Sequence, residues 1–295
     1  MIRHPLARRS TLAALALGLL SAGASVAADG PYVTTVATAT WQDNITDAPS
    51  GDGVLGAFTL GSTTDVSWLA SLGFSTLLTY GVESTLEICP RFSGLDSFSW
   101  GPRISWRHKL GVGPYAPFVT VGLEGSAVAF SDHERSRIEG VFTAGGGQRL
   151  NDAVQLLVDA RAGTYNANDL VYGGNYVGAN ATLNWDVSGT WRIKLLGGWR
   201  SGDGVSNYAA QFVGGAWTPI DPGILNSPGW WHYVNTYNQP FTAFRLGIRT
   251  LSSGIGVCPA IGRHTSLALQ FVRLDSKGYD RYADDVASAS IVHRF

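Results

Sequence analysis

Between Tyr176 and Trp199 apolar and polar residues alternate. Val177, Ala179, Ala181, Leu183, Trp185 and Val187 form one set, and Tyr176, Gly178, Asn180, Thr182, Asn184 and Asp186 form the other. After a Ser188-Gly189 turn the pattern resumes. Trp191, Ile193, Leu195, Gly197 and Trp199 lie on one side, and Arg192, Lys194, Leu196, Gly198 and Arg200 on the other. A period of two marks β-strands, because successive side chains point to opposite faces. Each arm runs to about ten residues, the length that crosses a bilayer at a tilt. Strands of soluble sandwiches usually run about five or six. Tryptophan near the ends of the apolar face matches the interfacial aromatics of a membrane barrel, and the polar face suits a wet interior.

The same alternation predicts strands near Tyr32–Trp41, Val54–Ser62, Val66 toward Glu83, Ser97–His108, Phe118–Phe130, Arg137–Leu150 and Ala153–Thr164. Beyond the hairpin it predicts strands near Phe241–Val257, Thr265–Asp275 and Val286–Phe295. Thr63-Thr64-Asp65 reads as a tight turn, Pro102 as a bulge, and a slip of phase after Thr250 as a bulge or a barrel exit. The count is twelve, with ten and fourteen as the neighbouring possibilities. The fold class is therefore all-β, a transmembrane antiparallel up-and-down barrel. Short turns fall on the side of the termini and longer loops on the other, as in bacterial outer-membrane barrels.

Composition sharpens this. Charged residues are 15% and there are 37 glycines, 10 tryptophans and one methionine, against about 25% charged in a typical soluble domain. A net charge of −1 argues against a nucleic-acid partner. The start is basic, followed by an apolar run from Leu12 to Leu20 and by Ala24-Ser25-Val26-Ala27-Ala28. That is a secretory signal, too short to span a bilayer. The expected division is a signal peptide over 1–28 and a barrel over 29–295. The two cysteines, Cys89 and Cys258, fall in an outside loop and an inside turn. Separated by a bilayer core of about 30 Å, both are expected free, with Cys89 reachable from outside.

These features resemble those of bacterial outer-membrane β-barrel proteins, a porin-like class with no specific family picked out. The closing stretch Ser290-Ile291-Val292-His293-Arg294-Phe295 carries part of the likeness, with a final aromatic and apolar residues at alternate positions before it. The resemblance implies that Ile291 and Phe295 form an assembly signal read by the barrel-assembly machinery. It also implies residence among outer-membrane lipid and lipopolysaccharide. His293 departs from the usual apolar or aromatic choice.

Parity points Arg103, Arg107, Glu124, Asp159, Arg161, Asp186, Arg192, Lys194, Arg200, Arg245 and Arg249 inward, with Glu139 as a further acidic candidate. Basic groups outnumber acidic ones. This fits a narrow anion-favouring pore and equally a charge ladder that fills a small lumen. The segment Ser201–Pro240 reads as long and irregular, and it carries Trp217, Trp230, Trp231, Tyr233 and Tyr237. It fits a lid or constriction that stacks on a flat ligand, or a surface loop packed on its own aromatics.

Enzyme motifs do not appear. There is no Cys-x-x-Cys, no His-Glu-x-x-His and no Gly-x-Ser-x-Gly, and Gly145-Gly146-Gly147 lacks the Lys-Ser or Lys-Thr of a phosphate loop. No catalytic residue, metal ligand or cofactor is nominated. Asp132-His133-Glu134 reads as a solvated charged loop in preference to a cation site. The leading expectation is a narrow passive channel for small, anionic solutes. A non-conducting structural or surface-interaction barrel, and a lipid- or peptide-acting barrel enzyme, are the alternatives.

Overall fold

The computed structural model describes residues 30–49, 53–213, 216–219, 231–234, 236–238 and 240–295, without the side chains of 211–213, 216–219 and 231–233. The expected signal segment lies outside these residues. Twelve long antiparallel strands close into a barrel: β1 (Tyr32–Gln42), β2 (Ala57–Ser71), β3 (Thr76–Ile88), β4 (Ser97–Lys109), β5 (Phe118–Phe130), β6 (Arg137–Arg149), β7 (Val154–Ala167), β8 (Gly174–Ser188), β9 (Trp191–Val213), β12 (Phe241–Pro259), β13 (Thr265–Lys277) and β14 (Arg281–Arg294). Two short strands, β10 (Ala216–Pro219) and β11 (Trp231–Val234), extend the ends of β9 and β12. The seam pairs β1 with β14 from Thr34↔Arg294 to Gln42↔Val286. Closure pairs each of the twelve long strands on both sides, which a bilayer demands because it offers no water to unpaired backbone groups.

The outward face is apolar and exposed. Trp41, Trp100 and Trp199 lie toward the loop end, and Trp106, Trp185 and Trp191 toward the short-turn end, with Leu60, Ile104, Leu123, Phe142, Val158, Leu195 and Ile255 between the two levels. This is the belt and double girdle of a membrane barrel. An outer surface this apolar is stable only against lipid.

Several local expectations are corrected. Thr63-Thr64-Asp65 is not a turn. β2 runs straight through it, and the chain reverses at Leu72–Ser75, where Gly73 adopts φ 123°. The polar triplet stays in the strand because Thr63 hydrogen-bonds Thr85 across the pair at 3.0 Å and Asp65 meets Arg103 inside the barrel at 2.5 Å. Pro102 causes no bulge. The β4–β5 ladder skips two residue pairs between Trp100↔Ala127 and Arg103↔Glu124 and resumes in the same register. A Cβ on Gly101 would lie 1.8 Å from the carbonyl oxygen of Gly125, so glycine there admits the closer approach. β12 shows no slip at Thr250 and pairs with β9 without interruption from Phe241↔Ala209 to Pro259↔Trp191. Nor is the stretch after Ser201 irregular at its start, since β9 continues to Val213.

Candidate functional site

The unbroken β9–β12 hairpin rises beyond the outer girdle and folds over the mouth. Its turn region reaches the loop between β3 and β4, on the opposite side of the ring of strands, where Asn238 Nδ2 donates to the Arg91 carbonyl at 2.9 Å. Thr236 Oγ1 donates to Asp132 Oδ2 at 2.5 Å in the β5–β6 loop, and Arg135 Nη2 donates to Tyr237 Oη at 3.2 Å. Asn207 Nδ2 donates to the Thr46 carbonyl at 2.8 Å, and Ser206 Oγ to the Asp47 carbonyl at 2.6 Å, both in the β1–β2 loop. Arg245 donates to the Leu170 and Gly173 carbonyls of the β7–β8 loop at 2.9 and 3.2 Å. Tyr208 Oη donates to Asp280 Oδ2 of the β13–β14 loop at 3.2 Å. Every outer loop is thus tied to one hairpin.

Beneath these bonds is an apolar core outside the membrane. Ala57, Cys89, Phe92, Val171, Tyr172, Val234, Tyr237, Phe241 and Ala243 form one buried cluster. Tyr237 meets Phe241 and Phe92 edge-on at 5.1 and 5.5 Å. Burial holds the phenols of Tyr172 and Tyr237 above their ordinary range, so both are neutral. Cys89 is buried here rather than reachable from outside; both cysteines are free. Nor is Asp132–Arg135 simply solvated, since Arg135 is tucked between Asp132 at 3.5 Å and the Tyr172 ring at 4.5 Å.

Of the loop aromatics, Tyr237 belongs to this cap. Trp217 lies in β10, and Trp231 and Tyr233 in β11; their side chains, and Trp230 altogether, fall outside the described set.

Below the cap the wall is polar. Arg103 pairs with Asp65 and reaches Glu83 at 3.5 Å, with Glu124 as its cross-strand neighbour. Arg107 stacks on Phe118 with its guanidinium 3.7 Å from the ring centroid. Arg161 holds Asp159 at 2.8 Å, and Asn180 donates to the same carboxylate at 3.0 Å. Arg192 pairs with Asp186 at 2.5 Å. Lys194 lies between Asn184 and Gly256 in register, and Arg200 lies 4.6 Å over the Tyr176 ring. The ion pairs therefore run along the wall, within a strand or between strands one or two places apart, and not across the lumen.

Arg245 and Arg249 are not on this wall. The unbroken register gives Arg249 the parity of Leu251 and Ile255, on the outward face, and Arg245 is spent on the β7–β8 loop. The inward reading depended on the phase slip that does not occur.

Among the described residues, two cavities open on the lumen wall. One, of about 580 Å³, lies under the cap among Asp47, Arg135, Arg137, Glu139, Arg161, Tyr165, Tyr172, Tyr176, Asn180, Arg200 and Tyr237. The other, of about 280 Å³, is lined by Glu83, Glu87, Arg103, Glu124, Arg137 and Glu139 among others. They share the Arg137–Glu139 ion pair. The upper cavity carries an excess of arginine and the other an excess of carboxylate. Arg137, Tyr165 and Glu83 have inward parity, the signal that could have found them, whereas Asp65 was hidden by the turn expected at Thr63–Asp65. Arg135 and Asp47 come from loops, where parity says nothing. Asp47 lies deep in the protein with part of its surface on the cavity. Burial, and next the neighbouring Asp284, push its carboxyl up to about 7, against the opposing pull of Arg200 and Arg135.

No protein-family model matches the chain, and no curated protein does. Solved structures do. An outer membrane channel from Pseudomonas putida F1 superposes with a TM-score of 0.56 over 92% of this chain and 97% of that one, at 10% identity. The fold is that of an outer-membrane β-barrel. NanC porin (TM-score 0.48, 8% identity, 88% of this chain and 100% of that one) and KdgM porin in complex with disordered oligogalacturonate (0.44, 6%, 89% and 99%) align more loosely. Only the first bears on the fold. As in barrels of this kind, the last strand closes the ring. Ile291 faces outward opposite Ala37, and the Phe295 amide donates to the Val33 carbonyl at 3.0 Å.

Proposed function

We propose that this barrel is a narrow passive channel for small anionic solutes, with its outer mouth closed by the hairpin cap in the state described. The observation that carries the reading is the 580 Å³ cavity under the cap, where Arg135, Arg137, Arg161 and Arg200 face Glu139 and Asp47. Charge lining a confined aqueous path raises the local concentration of the opposite ion. Pairing along the wall keeps the arginines out of the centre, which favours an open lumen over a filled one. Ile291 and Phe295 are proposed as the assembly signal.

The cap supports a second reading, a non-conducting barrel whose outer surface binds a partner. The enzyme reading draws little support. Thr76–His108 and Thr265–His293 are hydroxyl–imidazole contacts at 2.8 and 2.9 Å. They are direct cross-strand partners, and no acidic group orients either ring among the described residues. That is how a sheet pairs polar side chains.

Single-channel recording of the refolded protein decides between channel and plug. The channel reading expects conducting events with anion preference, shifted toward cations in the Arg161→Gln, Arg200→Gln double variant, most strongly at low salt. Absence of conductance, both in the wild type and in a cap-loosened Phe241→Ala variant, would leave the non-conducting barrel.

A further inference from the structure

The outward face of the barrel is almost free of charge, except in one sector. Every lysine or arginine that the register places on an outward face of the described strands, namely Arg245, Arg249, Arg273, Lys277 and Arg281, lies on β12, β13 or β14. Arg245 is engaged by the β7–β8 loop, and Arg273 holds Asp285 at 3.1 Å and Asp275 at 3.8 Å. The other three form a row. Arg249 is the direct cross-strand partner of Lys277, and Lys277 of Arg281. All three are exposed, and none has a carboxylate within ion-pair distance among the described residues.

Like charges directly opposite one another in a sheet repel. Here two such pairs share a middle member, and the outward carboxylate nearest in register, Asp275, is shared with Arg273 and makes no ion pair with the row, so the three cations keep an excess of positive charge that a bound anion relieves. The place of the row says which kind. One step down on the same face stand Leu251 on β12, Asp275 on β13 and Ala283 on β14; Leu251 is paired with Trp199 of the outer girdle, and Asp275 is within 3.8 Å of Arg273. Leu251 and Trp199 are both exposed. The cations therefore stand just above the apolar belt, at headgroup height on the loop side. An anion bound there with its apolar part against Leu251 and Trp199 is amphiphilic. Arginine matches phosphate oxygens with paired N–H donors.

We propose that Arg249, Lys277 and Arg281 bind the phosphorylated headgroup of an outer-leaflet lipid, with Leu251 and Trp199 as the shelf for its acyl chains. The site is independent of whether the lumen conducts.

The test uses the full chain in a neutral detergent and a bisphosphorylated lipid A as probe, with its dephosphorylated form and inorganic phosphate as separate arms. Bound lipid is counted by native mass spectrometry. The wild type should retain bisphosphorylated lipid A and not the dephosphorylated form. The Arg249→Gln, Lys277→Gln, Arg281→Gln variant should bind on the order of a hundredfold more weakly, at about fivefold for each cation. The lumen-facing control Lys194→Gln should bind as the wild type does. If the triple variant does not fold, the wild type alone still decides. Raising salt from about 0.05 to about 0.5 M should release the lipid, because screening shortens the reach of the cations. Equal retention of the two lipid forms, salt-insensitive retention, or undiminished binding by a folded triple variant would overturn the proposal. So would inorganic phosphate competing as well as the lipid, which would make this a simple phosphate site.

Discussion

Strand β12 passes through two different environments. At its outer end Phe241, Ala243 and Phe244 are all but inaccessible, packed among loop residues above the membrane. Further along, Thr250 and Ser252 turn small side chains to the lumen and Gly254 none, and Thr250 hydrogen-bonds Ser276 there at 2.8 Å. The cap is held as a soluble core is held, by excluded water and by hydrogen bonds whose donors and acceptors are buried. The lumen wall is held chiefly by backbone ladders, and its side chains, paired with one another along the wall, remain in contact with the water inside. The difference teaches that mouth and wall respond to different perturbations. Apolar truncation should act on the cap, and charge removal on the lumen's electrostatics.

The sharpest way to break the comparison is Phe241→Ala. Removing a wholly buried phenyl ring leaves a cavity and costs about 3–5 kcal/mol, all of it in the cap. Limited proteolysis of the folded protein should then cut in the hairpin or the outer loops. The melt of the barrel in detergent should stay within a few degrees of the wild type. A barrel melt that collapses with the cap would show one cooperative unit instead of two.

The next effect is pH. Asp47 has its carboxyl raised to about 7 in the folded cap, from an ordinary 3.8. The closed cap binds the proton more tightly than the open one, so between about pH 4 and pH 7 its stability falls as pH rises. The loss is roughly 1.4 kcal/mol per unit at most, reduced where the cavity supplies water. Proteolytic nicking of the cap should therefore be slower at pH 5 than at pH 7.5. Asp47→Asn should make the dependence shallower, and the remainder belongs to the neighbouring Asp284, whose carboxyl burial also raises. Nicking that accelerates in acid would reverse the sign and refute this account of Asp47.

The smallest effect on stability is expected on the wall. Arg161 and Asp159 are a partly exposed pair, of the sort worth about 0–1 kcal/mol. Arg161→Gln should leave the melt almost unchanged while moving the reversal potential toward cations. A large loss of stability would mean that the pair is less hydrated than the cavity implies.

How much of this was readable in the chain follows from the same contrast. Inside the bilayer each side chain faces lipid or lumen, so parity alone places Arg103, Glu124, Asp159, Arg161, Asp186, Arg192, Lys194 and Arg200. The strand count came from the same rule. The method failed where a polar run met a hidden partner, as at Thr63–Asp65, whose Asp65 is matched by an arginine on a strand two places away. It failed again above the membrane. Leaving the bilayer removes the two-sided solvent, so Phe241 and Ala243 are buried on one face while Phe244, Leu246 and Ile248 are buried on the other. With both faces apolar the alternation disappears. The strand then looks irregular, and Arg245 and Arg249 are assigned to the wrong side. Nothing in the local sequence of Cys89 or Arg135 announces that a hairpin from the opposite side of the barrel covers them.

The buried thiol of Cys89 offers the most direct measurement. A membrane-impermeant maleimide is applied to intact cells or to vesicles with the loop side outward, and the labelling rate of Cys89 is followed by mass spectrometry. A closed cap implies slow labelling in the wild type, at least about tenfold slower than in Phe241→Ala, because only cap opening exposes the sulfur. Rapid labelling of the wild type, equal to that of the variant, would mean that the hairpin does not close the mouth.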